Sequence, residues 1–156
     1  MRKWQIPALV FALLVACVEA KAGDKEDVMT HMAEFYAAVN VGHTDASHVD
    51  AIPFSKHSHY NANGALLSTF DPIRVKAWLK GAVSGGANWS IQPTHQHVEV
   101  YGNAAVHTCY ENVNINPPEG EQIRETNRVT RVLVKDRGEW KVVHAHASHL
   151  TPVNPD

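Results

Sequence analysis

The feature that most constrains the fold is a change of hydrophobic period near residue 88, after which the chain has the pattern of four long strands. Residues 89–101 and 104–115 flank Gly102-Asn103, and a two-residue pair of this kind is typical of a β-hairpin. After a loop at 116–120, residues 122–135 and 139–150 form a second such unit about Arg137-Gly138. The sequence therefore predicts two long antiparallel hairpins over residues 88–150.

Before residue 88 the apolar side chains follow helical spacing. A stripe at i, i+4, i+7, i+8 and i+11 predicts an amphipathic helix over 25–41, formed by Val28, Met32, Phe35, Tyr36 and Val39. Residues 44–52 predict a short second helix, and residues 56–67 predict a small hairpin with its turn at 61–64. Asp71-Pro72 is a typical helix start; the predicted packing residues of that third helix are Ile73, Val75, Ala77, Trp78, Leu79 and Val83.

Helices followed by long antiparallel strands define the α+β class. The length of 156 residues fits one domain, which we place at residues 23–151, with a frayed tail at 152–156. The 14 basic and 16 acidic side chains nearly cancel, and this balance argues against a nucleic-acid-binding surface. The 11 histidines are unusually many for a chain of this length, so acid–base catalysis and metal binding by histidine have to be considered.

The first 22 residues are predicted to be an export signal. Arg2 and Lys3 precede an uncharged, mostly apolar run at 6–18, which is shorter than the ~20 residues of a spanning helix. Cleavage after the small-x-small sequence at 20–22 would release a periplasmic or secreted domain. Residues 14–17 alternatively resemble a lipoprotein signal, in which lipidated Cys17 would anchor the protein to the membrane. Either way Cys109 has no disulfide partner in the mature domain, and we expect it to be a buried strand residue.

The segment 130–148 carries a more specific signal. It contains Thr130-Arg131-Val132, a charged turn with Gly138, and the pattern W-x-V-V-H-x-H-x-S ending at Ser148. This pattern resembles the closing hairpin of the calmodulin-dependent protein kinase II association domain and is similar to that of SnoaL-like proteins. Both belong to the nuclear transport factor 2-like superfamily.

The resemblance implies a cone, in which a curved antiparallel sheet wraps around the N-terminal helices and encloses a pocket. It does not imply one activity, because members of the superfamily include enzymes, ligand binders and oligomerisation modules. The chain contains no kinase motif, so phosphotransfer is not inherited from the name.

Strand parity suggests which side chains line that pocket. Counting from the turn at 136–139, Arg131 pairs with His144, and Val129 pairs with His146. Alternate residues share a face of a strand, which groups Arg131, Leu133, Val142, His144 and His146. A guanidinium between two imidazoles suits a small carboxylate, and the corresponding arginine of the association domain lines such a pocket.

Tyr110 and Asn112, on the preceding strand, complete the predicted ligand site. Asn112 stands where the association domain has a second pocket arginine, and this departure weakens the case for an anion. In an alternative interpretation, His144 and His146 are structural residues hydrogen-bonded to neighbouring strands.

A second hypothesis is acid–base catalysis of lyase or isomerase type. The resemblance places the border of the pocket at the candidate catalytic residues His57, His59 and Tyr60, with Tyr110 as a partner across the sheet. Histidine is the natural base near neutral pH. The nearest acidic candidate is Glu99, since Glu111 is assigned to the opposite face.

A third hypothesis is a histidine metal site. His-x-His pairs at 57–59, 95–97 and 144–146 each put two imidazoles on one strand face, and a third ligand would complete a zinc site. The candidate ligands are His95, His97 and Glu99, whereas His107 is expected on the opposite face. No spacing matches a recognised metal signature.

We therefore predict an exported domain whose pocket binds a small ligand, with a carboxylate as the first candidate and with no cofactor. A flat strip of Val143, Ala145 and Ala147 is expected on the outer face of the sheet. Covering such a strip in a symmetric assembly would remove exposed apolar area, which predicts a homodimer.

Overall fold

The computed structural model describes residues 22–62 and 66–150. The predicted export signal with Cys17, part of the turn at 61–64 and the tail at 152–156 lie outside the described residues. The elements are α1 Ala22–Gly42, a 3₁₀ helix Ala46–Ala51, β1 His57–Tyr60, β2 Leu66–Phe70, α2 Pro72–Ser84, β3 Asn88–Tyr101, β4 Ala104–Asn116, β5 Ile123–Asp136 and β6 Glu139–His149. No helix in these ranges is long and apolar enough to cross a membrane.

The strands form one curved, open sheet in the order β2-β1-β6-β5-β4-β3. The long strands pair antiparallel, as predicted, and β1 and β2 form the predicted small hairpin. β1 joins β6 in parallel, with Ser58 opposite His144 and Tyr60 opposite His146. The α+β cone is therefore confirmed, and one of its strand pairs is parallel.

α1 packs against the inner face of the sheet through its apolar stripe. The main buried cluster joins α1 to all four long strands and consists of Val28, Met32, Tyr36, Val98, Ala105, Cys109, Val129, Leu133 and Trp140. A second cluster, at the end of α1, contains Val39, Val49, Ile52 and Trp89. Cys109 is 6% exposed, which confirms that it is a buried strand residue.

α2 begins where the sequence predicts. The Asp71 carboxylate accepts the backbone N–H of Ile73 at 2.9 Å, and Pro72 occupies the first turn. None of the residues of α2 is buried, however, and Ile73 and Trp78 are 80% and 71% exposed. The prediction that these two are packing residues is wrong, whereas Leu79 and Val83 do pack against the second cluster, because α2 rests on the 3₁₀ helix with one side only.

A β-bulge in β6 changes which side chains face inward. Val132 pairs with His144 but Leu133 pairs with Val142, so Val143 is an extra residue without an opposite partner. Because side chains alternate along a strand, one extra residue reverses the two faces beyond it.

The reversal moves the histidines of β6 to the outer face. Arg131 lies opposite Ala145, which is 4% exposed. The predicted grouping of Arg131 with His144 and His146 is therefore wrong. The predicted outer strip is wrong for the same reason, since Ala145 is buried and Ala147 packs against the core.

A second bulge interrupts β3 between Thr94 and His97. His95 adopts a φ of 52° there, a left-handed conformation that is uncommon for residues other than glycine. Beyond the bulge His97 lies opposite Thr108 on the outer face, while His107 is fully buried on the inner face. The expectation that His107 and His97 face opposite ways agrees with this arrangement.

Candidate functional site

A buried polar cluster joins α1 to β4 and β5. Arg131 donates from Nη2 to Glu111 Oε1 at 2.5 Å and from Nη1 to the Tyr36 hydroxyl at 2.8 Å. The Tyr36 hydroxyl donates in turn to Glu111 Oε1 at 2.7 Å and lies 3.4 Å from Cys109 Sγ. Arg131 and Glu111 are 9% and 7% exposed, so they form an ion pair inside the cone.

The ion pair fixes the protonation states of the cluster. Burial is the largest influence on Arg131 and opposes its charge, but the Glu111 carboxylate, Tyr36 and Cys109 together raise the pKa of the guanidinium above its usual value. Burial raises the pKa of Tyr36 far above its usual range. Arg131 is therefore a permanent cation, Tyr36 is a neutral phenol, and the guanidinium lies against the Phe35 and Tyr36 rings at 5.4 Å from each centroid.

One side of Arg131 borders a small cavity. The cavity has a volume of about 60 Å³ and is lined by Phe35, Pro53, Phe54, Ser55, His57, His59, Phe70, Arg131, Val142 and Ala145. Three aromatic rings make most of this wall apolar, and the polar groups come from one arginine, one serine and two histidines.

The two histidines form a hydrogen-bonded pair. His57 Nδ1 lies 2.8 Å from the Ser55 carbonyl oxygen, and His57 Nε2 lies 3.4 Å from His59 Nδ1. A carbonyl oxygen can only accept, so His57 carries its proton on Nδ1. The His57 ring also stacks on Phe70 at 4.4 Å between centroids and 15° between planes.

Both histidines are held neutral. Burial, followed by the neighbouring His57 and Arg131, lowers the pKa of His59 to about 4. Burial also lowers the pKa of His57, although the hydrogen bond to Ser55 opposes that shift. At neutral pH the cavity therefore contains two uncharged imidazoles beside a guanidinium whose charge is balanced by Glu111.

Several predicted site residues lie elsewhere. On the outer face, His144 Nδ1 is 2.8 Å from Ser58 Oγ, and the Tyr60 ring lies edge-on to His144 and His146 at 5.9 and 5.8 Å. This contact agrees with the alternative in which His144 bonds a neighbouring strand. Tyr60 is thus separated from His57 and His59, which do line the cavity together.

Tyr110 and Asn112 also lie outside the cavity. Both are exposed; Tyr110 packs edge-on against His95 at 5.6 Å, and Asn112 accepts a hydrogen bond from Thr126 at 2.9 Å. The inward position on β4 belongs to Glu111, so the assignment of Glu111 to the opposite face is wrong.

The candidate metal ligands do not converge. His97 and Glu99 form an exposed pair with 2.9 Å between Nε2 and Oε1, and His95 turns towards Tyr110. In the part of the chain that the structure describes, no three His, Cys, Asp or Glu side chains lie close enough to hold a metal ion.

Sequence reasoning missed Glu111, Tyr36 as a polar group, and the aromatic walls. A signal for Glu111 existed, because it is two residues from Cys109, which was expected to be buried, and alternate strand residues share a face. Phe54 and Phe70 lie outside the regular apolar patterns, so only the folded chain brings them together.

A cone-shaped α+β fold with a cavity between its helix and its sheet is that of the nuclear transport factor 2-like superfamily. Within it, residues 26–153 match the model of the SnoaL-like domain family, and the chain belongs to that family. The predicted resemblance is confirmed.

Solved structures share the fold at low sequence identity. A candidate dehydratase of the nuclear transport factor 2-like family from Streptomyces avermitilis is 21% identical with a TM-score of 0.64, covering 83% of this chain and 98% of its own. A candidate calcium/calmodulin-dependent kinase II association domain from Exiguobacterium sibiricum is 16% identical with a TM-score of 0.65, covering 86% and 98%. A superfamily protein from Salmonella enterica is 17% identical with a TM-score of 0.65, covering 86% and 96%. No curated protein matches the chain.

Proposed function

We propose that the domain is a cofactor-free enzyme of isomerase or dehydratase type, which moves a proton on a small carbonyl compound held in the cavity. The observation that carries the proposal is the neutral His57–His59 pair in the same cavity as Arg131. A fold that supports ligand-binding or isomerase- and dehydratase-type domains is consistent with it.

The hydrogen-bond chain supports His59 as the base. Since His57 Nδ1 donates to Ser55, the neutral ring has its lone pair on Nε2, which can accept the Nδ1 proton of His59. His59 Nε2 then remains unprotonated and is the atom that can take a proton from substrate carbon. His57 orients His59 and stabilises the imidazolium that forms, as the second member of a relay does.

Arg131 is the group that stabilises the negative charge formed on the substrate when His59 removes the proton. When a proton leaves the carbon next to a carbonyl group, the electron pair moves to the carbonyl oxygen, and a fixed donor at that oxygen lowers the barrier. A guanidinium has five N–H donors, of which Tyr36, Cys109 and Glu111 engage three. Reprotonation at another carbon would give an isomer, and loss of hydroxide would give a dehydrated product.

Solvent deuterium exchange tests the proposal directly. The purified protein is incubated in D₂O with a panel of small ketones and 3-oxo acids, and loss of the proton next to the carbonyl is followed by NMR. We expect catalysed exchange in the parent and a loss of about 100-fold or more in His59→Gln, the range for removal of a general base. His149→Gln, at an exposed site on β6, is the control and should exchange as the parent does.

The pH profile gives an independent check. Because His59 has a pKa of about 4 and must be unprotonated to act, kcat/KM should fall only as the pH falls through that value. An acid limb near ~6.5, the value of an unperturbed histidine, would contradict the assigned base. So would tight binding of a carbonyl compound with no exchange in the parent.

Binding of a small anion without catalysis is the second candidate, because Arg131 lies in the cavity wall. Glu111 compensates that charge, so Glu111→Gln should strengthen carboxylate binding, whereas Arg131→Gln should abolish it. Isothermal titration with acetate and propionate measures both effects. Unchanged affinity in both variants would remove the anion site.

We also propose that the mature domain is exported, either cleaved near residue 22 or anchored through lipidated Cys17, and that it self-associates as a homodimer. The basic start and apolar run at 1–18 support export. Intact-mass spectrometry of protein purified from its own host separates the two processing routes, and a chain retaining residues 1–22 would contradict both.

A further inference from the structure

We infer that the surface groove between α2 and β2 is the outer part of the ligand site, that it binds an aromatic ring bearing an anionic group, and that Phe70 separates it from the cavity. The inference rests on the proposed function only in taking the cavity as the place where the reacting group is held.

The size of the cavity is the first argument. At about 60 Å³ it has room for only a few water molecules. Pockets for organic ligands span about 300–1,000 Å³. The cavity can therefore hold only the reacting end of a substrate, and the remainder needs a neighbouring site.

The groove provides that neighbouring site. It has a volume of about 520 Å³ and is lined by Asn61, Thr69, Phe70, Asp71, Arg74, Val75 and Trp78. Phe70 is the residue that it shares with the cavity. One face of the Phe70 ring stacks on His57, and Phe54 lies 5.1 Å from it. A change in the rotamer of this one side chain would join the two spaces.

The lining indicates the chemistry of the ligand. Trp78 is 71% exposed on a helix that buries none of its residues. A large exposed ring beside Val75 and Phe70 is an unfilled stacking platform. We assign this platform to an aromatic ring of the ligand.

The charges of the groove place the anionic group at Arg74. Arg74 has no ion pair among the described residues. Asp71, the other charged residue of the lining, accepts the N–H of Ile73 at the start of α2. The two lysines of α2 are directed away, since Lys76 and Lys80 both bind Asp50. An unpaired guanidinium next to a tryptophan suits an aromatic carboxylate.

Binding of 2-naphthoate, compared with the neutral 2-naphthylmethanol, tests the groove. In titrations followed by ligand NMR, Trp78→Ala should weaken both probes by about tenfold, the scale of one stacking contact. Arg74→Gln should weaken only 2-naphthoate, and the exposed Arg124→Gln on β5 is the matched control that should change neither. Equal binding of 2-naphthoate by the parent, Arg74→Gln and Trp78→Ala would overturn the inference.

The role of Phe70 is tested through the histidines. In the parent, saturating 2-naphthoate should shift the imidazole signals of His57 and His59, because the probe moves the Phe70 ring aside and comes next to the two imidazoles. Phe70→Leu should enlarge the shift, and Phe70→Ala should enlarge it further. Two variants are used so that the test remains valid if one of them fails to fold. Binding at Trp78 with unchanged histidine signals in all three proteins would show that the groove is a separate site and would overturn the inference.

These measurements involve no turnover, so they are independent of the proposed reaction. Loss of exchange activity with retained probe binding would leave the groove assignment standing, whereas failure of probe binding with normal exchange would refute the groove alone.

Discussion

Glu111 balances the only buried guanidinium among the described residues. Removing one partner of a buried ion pair leaves the other charge desolvated and unpaired, which costs about 3–5 kcal/mol. Glu111→Gln should therefore lower the free energy of unfolding by roughly that amount, measured by urea titration. Lys80→Met, at the exposed Lys80–Asp50 pair, is the control and should change it by about 1 kcal/mol or less. Similar small effects in both variants would contradict a buried, compensated charge.

His107 should make stability depend on pH. Burial, followed by Arg131, lowers its pKa in the folded protein to about 4, whereas in the unfolded chain it titrates near ~6.5. Between these values the unfolded chain binds more protons, so stability is full above pH ~6.5 and falls as the pH falls towards 4. At 1.36 kcal/mol per unit the whole loss approaches about 3 kcal/mol.

Urea unfolding at several pH values between 4 and 7 measures this slope. His107→Leu should flatten it in part, leaving the exposed Gln96 amide without its histidine partner. The remaining slope belongs to His31, His57 and His59, whose pKa values burial lowers in the same direction. A slope that His107→Leu leaves unchanged would mean that His107 is protonated without cost.

Among the elements, the β5–β6 hairpin offers a local test of backbone strain. Its turn residues Arg137 and Gly138 have φ values of 53° and 89°, the conformation of a type I′ turn, in which asparagine is favoured over arginine at the first position. Arg137→Asn should raise the free energy of unfolding by roughly 0.5–1 kcal/mol. Arg124→Asn, at an exposed position within β5, should give no such gain. An unchanged urea midpoint in Arg137→Asn would contradict the prediction.

The elements themselves could be predicted from sequence, because their signals are local. The turns at Gly102-Asn103 and Arg137-Gly138 and the cap at Asp71 bound the helices and strands to within a few residues of where they lie. The orientation of the site residues could not, because it depends on register between strands. The bulge at Val143 has no recognisable signal in the sequence around it. This bulge alone reverses the faces on which His144 and His146 lie.

The site was therefore predictable only in part. Arg131 and the pair His57 and His59 do lie together at one cavity, since they were chosen from a family pattern that already contains the fold. Phe70 could not be found in this way, because its contact with His57 arises when β2 folds back on β1.

At the scale of the whole molecule, formation of a homodimer is still a prediction. The surface expected to form the interface is no longer the strip of Val143, Ala145 and Ala147. The outer face of the sheet presents Tyr60, His144, His146 and Tyr110 around Thr130, and aromatic side chains are enriched in interfaces. We expect a homodimer by sedimentation at tens of micromolar, an order-of-magnitude choice within ordinary affinities. Thr130→Asp should give monomers, and Thr30→Asp, exposed on α1, should not. A monomeric parent would refute the dimer.

The parallel pairing of β1 with β6 has a consequence for the order of assembly. Ser58 and His144, which face each other across that pair, are 86 positions apart in the chain, and contacts of such long range form slowly because a large loop must close first. In the described sheet the β1–β2 hairpin attaches only through β6, which follows it in the chain after β3, β4 and β5. The hairpin that carries His57 and His59 therefore cannot join the sheet before β6 does, and the candidate cavity is completed after β3 to β6 have paired.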